Sequence, residues 1–213
     1  MSATILAFFQ SGGIFMYFIL FILALGTAIV LERWLVISKA KVNGPRLWDQ
    51  VSDHLDQGQL EDAAQACAQG RTPLHQVLHS GVSALARSDH REDIENAVEE
   101  SMMEIMPRLE SRLHYLPTLA NVATLLGLLG TIVGLIKAFT AVAVADPSQK
   151  AMLLSQGISL AMNTTAFGLI AAIPLMLLYS ALHARTNALI DTLDQFAFKL
   201  INRISAMHRK ETR

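Results

Sequence analysis

The chain has 213 residues, of which 52% are hydrophobic and only 16% are charged, and its formal net charge is −1. The apolar residues are gathered into a few long blocks, a pattern that excludes an ordinary water-soluble domain and favours a membrane protein. A net charge near zero gives no sign of nucleic-acid binding. The sequence contains no Walker-type glycine loop, no carboxylates paired at catalytic spacing and no nucleophile beside a base, so no enzyme is predicted.

The first apolar block, residues 13–31, carries no charged side chain and is long enough to cross a bilayer. Glu32 is the first charged residue of the chain. A cleaved signal peptide would have a basic start and a shorter apolar core, whereas residues 1–10 contain no Lys or Arg. The pattern predicts a retained first transmembrane helix over residues 13–36, preceded by a periplasmic segment at residues 1–12.

Residues 37–112 are predicted to form a cytoplasmic helical insert, since helix signals follow one another and no strand pattern competes with them. Three short helices are expected, opened by Pro45, by Gln59 and by the Thr72-Pro73 pair, and the first two of them end near Gly58 and Gly70. The single cysteine, Cys67, cannot form an internal disulfide, which suits a reducing compartment. His75 and His79 share a helix face but have no third ligand, so no metal site is predicted.

A much longer helix is expected to follow. Asp89 and Glu92 have the spacing of a capping box, and from there to about Ala145 only prolines and glycines interrupt the helical pattern. We therefore predict one kinked helix that continues into the membrane. Its acidic run is interpreted as a solvated face. Its three methionines are interpreted as core filling rather than a binding patch: Met102, Met103 and Met106.

Two further spans are predicted at residues 113–144 and 151–182, joined by a periplasmic turn at residues 145–150. The second span is free of charge up to residue 136, and the third is free of charge throughout. Lys137, near the outer end of the second span, is expected to reach the interface or to pair with a partner. Together with the first span, these segments predict an all-α membrane protein with three transmembrane helices and long helices that extend into a cytoplasmic helical domain.

The basic residues set the expected orientation, because Lys and Arg near the ends of spans stay on the cytoplasmic side. They follow the first span, precede the second and follow the third: Arg33, Lys39, Lys41, Arg46, Arg108, Arg112, Arg185, Lys199 and Arg203. The turn between the second and third spans offers only Asp146 and Lys150. The N-terminus is therefore predicted outside and the C-terminus inside.

The C-terminal segment, residues 183–213, is predicted to be a cytoplasmic helix with a narrow apolar stripe. The stripe consists of Leu189, Leu193, Phe196, Leu200 and Ile204. It would pack either against the insert of the same subunit or against a second subunit, and the sequence leaves both alternatives open. The basic residues of the tail would meet anionic lipid headgroups or belong to a frayed end: Arg209, Lys210 and Arg213.

Neutral polar residues stand out in the two later spans. Thr131 and Thr165 each lie seventeen residues from Ser148 in the turn, or roughly 25 Å, so both hydroxyls are expected near one depth of the bilayer. Asn121 and Thr124 share a helix face with Thr131. Any single hydroxyl can simply bond back to a carbonyl of its own helix. Taken together, they favour a path for a cation whose titrating acid comes from another polypeptide.

Two segments carry a family resemblance. Gly127-Leu-Leu-Gly-Thr-Ile-Val-Gly134 and Thr165-Ala-Phe-Gly-Leu-Ile-Ala-Ala-Ile-Pro174 look like the second- and third-helix signatures of the MotA/TolQ/ExbB ion-channel family, and Leu31-Glu32-Arg33 resembles its first-helix exit. The likeness extends through nearly the whole chain. It is nearest to the ExbB/TolQ branch, because flagellar stator subunits of the MotA type usually have four spans and this chain shows three.

The resemblance implies a homopentamer in the bacterial inner membrane whose second and third helices line a pore. Two copies of a single-span ExbD/TolR-like partner would occupy that pore and supply an aspartate, and the work would pass to a TonB- or TolA-like protein. The translocated ion would be H⁺ or Na⁺, with no cofactor. The residues predicted for the ion pathway are Thr131, Thr165, Thr164, Asn163, Thr124 and Asn121. Those predicted for helix packing are Gly127, Gly130, Gly134, Gly168 and Pro174.

One position departs from the family pattern. ExbB and TolQ proteins typically carry a glutamate five residues before the pore threonine, where this chain has Leu160. The neighbouring oxygens of Asn163, Thr164 and Thr165 motivate the hypothesis that the ion is sodium, since hard cations prefer several oxygen ligands. Two alternative functions are a non-conducting membrane scaffold and a subunit of a small-solute transporter.

Overall fold

The computed structural model describes residues 13–88 and 90–211, with side chains up to residue 207. Within these ranges the chain forms helices and no strand, which confirms the all-α prediction. The helices are α1 (Ile14–Ala40), α2 (Gly44–Asp56), α3 (Leu60–Ala68), α4 (Pro73–Leu85), α5 (Arg91–Glu110), α6 (Tyr115–Val144) and α7 (Pro147–Glu211). Three helical stretches, which start at Ile14, Arg91 and Pro147, are long and apolar enough to cross a membrane. The segment predicted at residues 1–12 lies outside the described residues.

The described chain divides into two compact units. The first, here called the membrane unit, contains the residues up to Arg33 together with Arg112–Leu182. The second, here called the insert unit, contains Trp34–Ser111 and the residues from His183 onward.

The insert unit is built around one hydrophobic core. Helices α2 to α5 contribute side chains such as Val51 and Leu78, both completely buried. The C-terminal part of α7 adds the predicted apolar stripe, of which Leu189 is partly buried and the other four members are buried: Leu193, Phe196, Leu200 and Ile204. Burying a leucine or phenylalanine side chain stabilises a fold by about 1.5–3 kcal/mol. Of the two alternatives for the stripe, packing within the same subunit is therefore the one observed.

The short helices of the insert begin and end where the turn signals predict. Asn43 caps α2, its Oδ1 accepting from the Arg46 amide at 3.4 Å, and α3 lies between its cap residues Gln59 and Gln69. The α4 helix starts at Pro73, yet the Thr72 hydroxyl bonds to Nδ1 of His75 at 2.7 Å instead of capping a backbone amide. The capping-box residue Asp89 lies outside the described residues, and α5 begins after His90.

The prediction of one long helix from residue 89 to 145 is wrong. The chain breaks between α5 and α6, and Arg112 has a φ of 63° there, in the left-handed region. Pro117 is compatible with the break, because it lies in the first turn of α6, where its missing N–H leaves no hydrogen bond to the Leu113 carbonyl. Beside the break, the Glu32 carboxylate pairs with the guanidinium of Arg112 at 2.7 Å and with that of Arg33 at 2.8 Å.

The turn between the second and third spans is also shorter than predicted. α6 ends at Val144 and α7 starts at Pro147, so the turn is shorter than residues 145–150. Proline suits the first turn of a helix, where its missing N–H has no partner to lose. The helix continues as one element of 65 residues, without a break at residue 183.

The methionine interpretation is only partly confirmed. Met102 belongs to the core of the insert unit and Met106 packs against it. Met103, on the same helix, is 66% exposed, so the prediction that it fills the core is wrong. Residues 102 and 103 are neighbours along a helix and therefore point about 100° apart.

Cys67 is expected to resist thiol reagents in the folded protein. Its side chain is 1% exposed, and burial raises the pKa of the thiol to about 12. Since the thiolate is the reactive form, maleimide labelling near neutral pH should be negligible in the intact protein and complete after denaturation, as read by intact mass. Rapid labelling without denaturant would contradict the packing of α3.

Candidate functional site

The candidate site lies in the membrane unit, where α6 and α7 pack as an antiparallel pair. Their contact is a seam of small residues. A Cβ placed on Gly168 would lie 2.8 Å from the Ala123 carbonyl oxygen and 3.1 Å from the Gly127 Cα. A Cβ on Gly130 would lie 2.3 Å from Cγ2 of Thr164. Only glycine allows the two backbones to approach this closely.

The same seam fixes the depth of the two threonines. Gly134 faces Ala161 and Gly130 faces Thr164. A residue of α6 and the residue of α7 that faces it therefore have numbers that add up to about 295. Thr131 therefore lies opposite residues 163 to 164, within about two residues of Thr165. At about 1.5 Å of rise per residue, the two side chains differ in depth by roughly 3 Å.

The two hydroxyls converge on one turn of α6. Thr165 Oγ1 donates across the seam to the carbonyl of Gly127 at 2.9 Å. Thr131 Oγ1 donates to the next carbonyl, that of Leu128, at 2.5 Å. Both threonines are partly exposed at the edge of the helix pair. With each proton committed to a carbonyl, both hydroxyl oxygens keep only acceptor lone pairs for whatever approaches them.

The other predicted pathway residues are arranged differently. Thr124 bonds to the Ala120 carbonyl at 3.1 Å and lies two turns from Thr131 on the same face of α6, while Asn121 is exposed. Thr164 is 1% exposed, is packed against Gly130 and donates to the Leu160 carbonyl at 2.8 Å.

The run from Asn163 to Thr165 is not a single cluster of ligands. Successive residues on a helix point about 100° apart, so Asn163 and Thr165 leave α7 in nearly opposite directions, with Thr164 buried between them. Leu160 occupies the position where ExbB and TolQ proteins typically carry a glutamate. Its Cδ1 lies 3.6 Å from the point where a Cβ added to Gly13 would be. It therefore faces the start of α1 rather than Thr165. The structure brings together Thr131 and Thr165 and separates them from Asn163.

The predicted packing residues are in the seam, with one exception. Gly127, Gly134 and Gly168 lie against backbone atoms of the opposite helix, and Gly130 lies against the side chain of Thr164. Pro174 is exposed on α7, outside that contact. Gly157 also lies in the seam, although the sequence pattern did not single it out: an added Cβ there would lie 2.2 Å from the Cβ of Ala138.

Neither the membrane spans nor the rest of the described chain offers a metal site. No group of three His, Cys, Asp or Glu side chains in the described ranges is arranged to hold an ion. The spans supply neutral oxygens without a carboxylate, since residues 113–136 and 151–182 contain none. Lys137, the one cation within α6, is exposed near the outer end of that helix.

Comparison with known proteins places this arrangement in a family. The model of the MotA/TolQ/ExbB proton channel family matches residues 69–195, which include the insert from α4 onward, the seam and both threonines. The chain is 32% identical over 193 residues to a biopolymer transport protein ExbB homolog of Methanothermobacter thermautotrophicus, covering 90% of this chain and 67% of the relative. It is 30% identical over 171 residues to the Tol-Pal system protein TolQ of Haemophilus influenzae, covering 76% and 75%.

A third relative matches a shorter part of the chain. It is the biopolymer transport protein exbB1 of Vibrio cholerae, 38% identical over 101 residues, or 46% of this chain and 44% of the relative. The family match covers more than half of the chain, and it agrees with the three apolar helical stretches. The chain therefore belongs to the MotA/TolQ/ExbB proton channel family, in its ExbB/TolQ branch.

Proposed function

We propose that this chain is the pore-forming subunit of an inner-membrane motor that converts a proton or sodium gradient into mechanical work on a TonB- or TolA-like partner. The observation that carries the proposal is the pair of hydroxyls of Thr131 and Thr165, which donate to consecutive carbonyls of α6. Their remaining lone pairs can accept a hydrogen bond from a hydrated proton or ligate a metal cation. These contacts lie within the charge-free stretches of the two helices, residues 113–136 and 151–182, where polar side chains are unusual and often mark a functional path.

The titrating group must come from another polypeptide. Hydroxyl pKa values lie far above neutrality, so Thr131 and Thr165 can solvate a cation but cannot carry its charge. The second span up to residue 136 and the third span contain no Asp or Glu. A single-span partner of the ExbD/TolR type, two copies of which would lie inside a ring of five of these chains, would bring the missing aspartate. The TolQ and ExbB names of the relatives support this class of assembly.

The proposed orientation follows from the positions of the basic residues. The segments next to the inner ends of the spans carry Arg33, Arg108 and Arg185, among others, whereas the outer ends of α6 and α7 carry only Lys137 and Lys150 beside Asp146 of the turn. Because Lys and Arg favour the cytoplasmic side, the insert unit would be cytoplasmic and the start of α1 periplasmic.

Reconstituted flux tests the proposal. The chain is co-expressed with each single-span protein encoded near it, and the complex that co-purifies is incorporated into liposomes. Proton uptake is then assayed with a pH-sensitive dye, and ²²Na⁺ uptake is assayed at a fixed membrane potential. We expect flux that requires both proteins and the gradient. If sodium is the ion, replacing it with potassium should stop the flux; if the ion is the proton, the replacement should have no effect.

The same preparation separates the rival functions. Native mass spectrometry gives the subunit number and establishes whether the partner is present. A complete assembly that carries neither proton nor sodium current would identify a scaffold and overturn the proposal. Gradient-driven uptake of an added small solute by the chain alone would instead favour a transporter subunit.

A further inference from the structure

A groove on the insert unit lies between α5 and the C-terminal part of α7, with a volume of about 580 Å³. Its floor is apolar and comes from both helices: Val98, Met102, Met106, Ala197 and Ile201. Met103 and Phe198 also line it, and they are 66% and 67% exposed. Large apolar side chains left exposed beside an apolar floor mark a surface that is covered by something else.

The rim of this groove is acidic. Glu95, Glu99 and Asp194 line it, and the one basic residue, Arg91, has its Nε bonded to Oε1 of Glu95 at 2.6 Å. The excess of acidic over basic residues extends along α5, which has seven acidic and two basic residues. Such a field repels anionic lipid headgroups and nucleic acids and attracts a basic ligand.

The lining also suits a helix rather than a small molecule. Methionine side chains are flexible and adapt to apolar surfaces of varied shape. A groove between two helices, with an apolar floor and charged edges, is the geometry in which amphipathic helices dock by their apolar face. The ligand that satisfies both floor and rim is a short segment with apolar residues on one side and Lys or Arg on the other.

We propose that the groove binds the basic segment that adjoins the cytoplasmic end of the single-span partner's membrane helix. This inference rests on the proposed function, which supplies such a partner and places the insert unit in the cytoplasm. A single-span protein carries its excess of Lys and Arg on the cytoplasmic flank of the span, within about 15–20 residues of it. That flank therefore has the charge that the rim of Glu95, Glu99 and Asp194 complements.

Site-specific photo-crosslinking in the full complex tests the inference. The substitutions Met103→p-benzoylphenylalanine and Phe198→p-benzoylphenylalanine place the probe at the groove, and Gln65→p-benzoylphenylalanine places it on an exposed part of α3 as a control. After irradiation, mass spectrometry identifies the joined peptides. We expect both groove positions, and not the control, to join to the basic flank of the partner.

Charge reversal supplies a second readout. The double variant Glu99→Lys/Asp194→Lys should lower the cross-linking yield from Phe198 by roughly five- to tenfold, because attraction at the rim becomes repulsion. The matched control Asp49→Lys/Asp53→Lys changes the charge equally on exposed positions of α2 and should leave the yield unchanged.

Each other outcome overturns the inference. Cross-links to a second copy of this chain would assign the groove to a contact between subunits, and cross-links to lipid or to nothing would leave it without the proposed ligand. If the partner co-purifies and flux is normal but the probes in the groove do not cross-link to the partner, the inference fails while the proposed function stands. If no single-span partner co-purifies, both fail.

Discussion

Replacing Thr131 with valine is expected to reduce ion flux by roughly five- to a hundredfold without lowering the stability of the protein. Valine has the shape of threonine but no hydroxyl, and Thr131 bonds only to the Leu128 carbonyl of its own helix in the described structure. Removing a required hydrogen-bonding group costs about 1–3 kcal/mol, and 1.4 kcal/mol corresponds to a factor of ten. Flux in liposomes and the thermal midpoint of the purified complex measure the two effects separately.

Thr165→Val should lose flux to a similar extent and also lose some stability, since the Thr165 hydroxyl joins the two helices through Gly127. Side-chain hydrogen bonds between membrane helices contribute about 0.6 kcal/mol on average, so a small drop in midpoint is expected. Thr165→Ser keeps the hydroxyl and should retain most of the flux.

A matched control exists further along the same helix. Thr140 is exposed and bonds to the Ile136 carbonyl at 2.8 Å, as Thr131 bonds within its own helix, but nine residues of rotation point it to the opposite face of α6. Thr140→Val should leave flux unchanged. If Thr131→Val conducts as well as Thr140→Val, the hydroxyl of Thr131 has only the local role that such back-bonding suggests, and the pathway must be placed elsewhere.

The periodic parts of the chain were predictable from its sequence. Charge-free blocks of this length predict membrane-spanning helices. The turn residues around the insert mark helix ends by local chemistry, which tertiary packing did not override. The glycines of the second span also predicted the close seam, because backbone approach requires small residues at helical spacing.

The rotation of each helix about its own axis and the places where helices break were not predictable from the sequence. Thr164 and Thr165 are chemically alike neighbours, yet one is buried against Gly130 and the other donates across the seam, because packing alone sets the rotation of α7. Pro107 stays inside α5 while Pro117 accompanies a break, a difference that the sequence pattern does not encode. The exposure of Met103 likewise could not be predicted from its sequence position.

Gly168→Ala is expected to destabilise the α6–α7 pair strongly. The new Cβ would lie 2.8 Å from the Ala123 carbonyl oxygen and 3.1 Å from the Cα of Gly127, and neither backbone atom can move without shifting the helix. Overpacking of this kind costs about 1–3 kcal/mol. Since Gly127 also accepts the Thr165 hydrogen bond, flux should fall together with the thermal midpoint.

Glycine-to-alanine substitution two seam positions further out, on the facing helix α6, is the control, because it adds the same methyl group with more room. At Gly134 the Cβ would lie 3.1 Å from the Ala161 Cβ and 3.2 Å from its Cα, so α7 has to shift by only a few tenths of an ångström, less than the 2.8 Å contact at Gly168 demands. Alanine also gains about 0.5–1 kcal/mol over glycine inside a helix, which offsets much of the remaining strain. The midpoint of Gly134→Ala should therefore stay near that of the unmodified protein. Equal losses in both variants would mean that the seam tolerates no methyl group anywhere, whereas no loss in either would mean that α6 and α7 do not approach as closely as their glycines indicate.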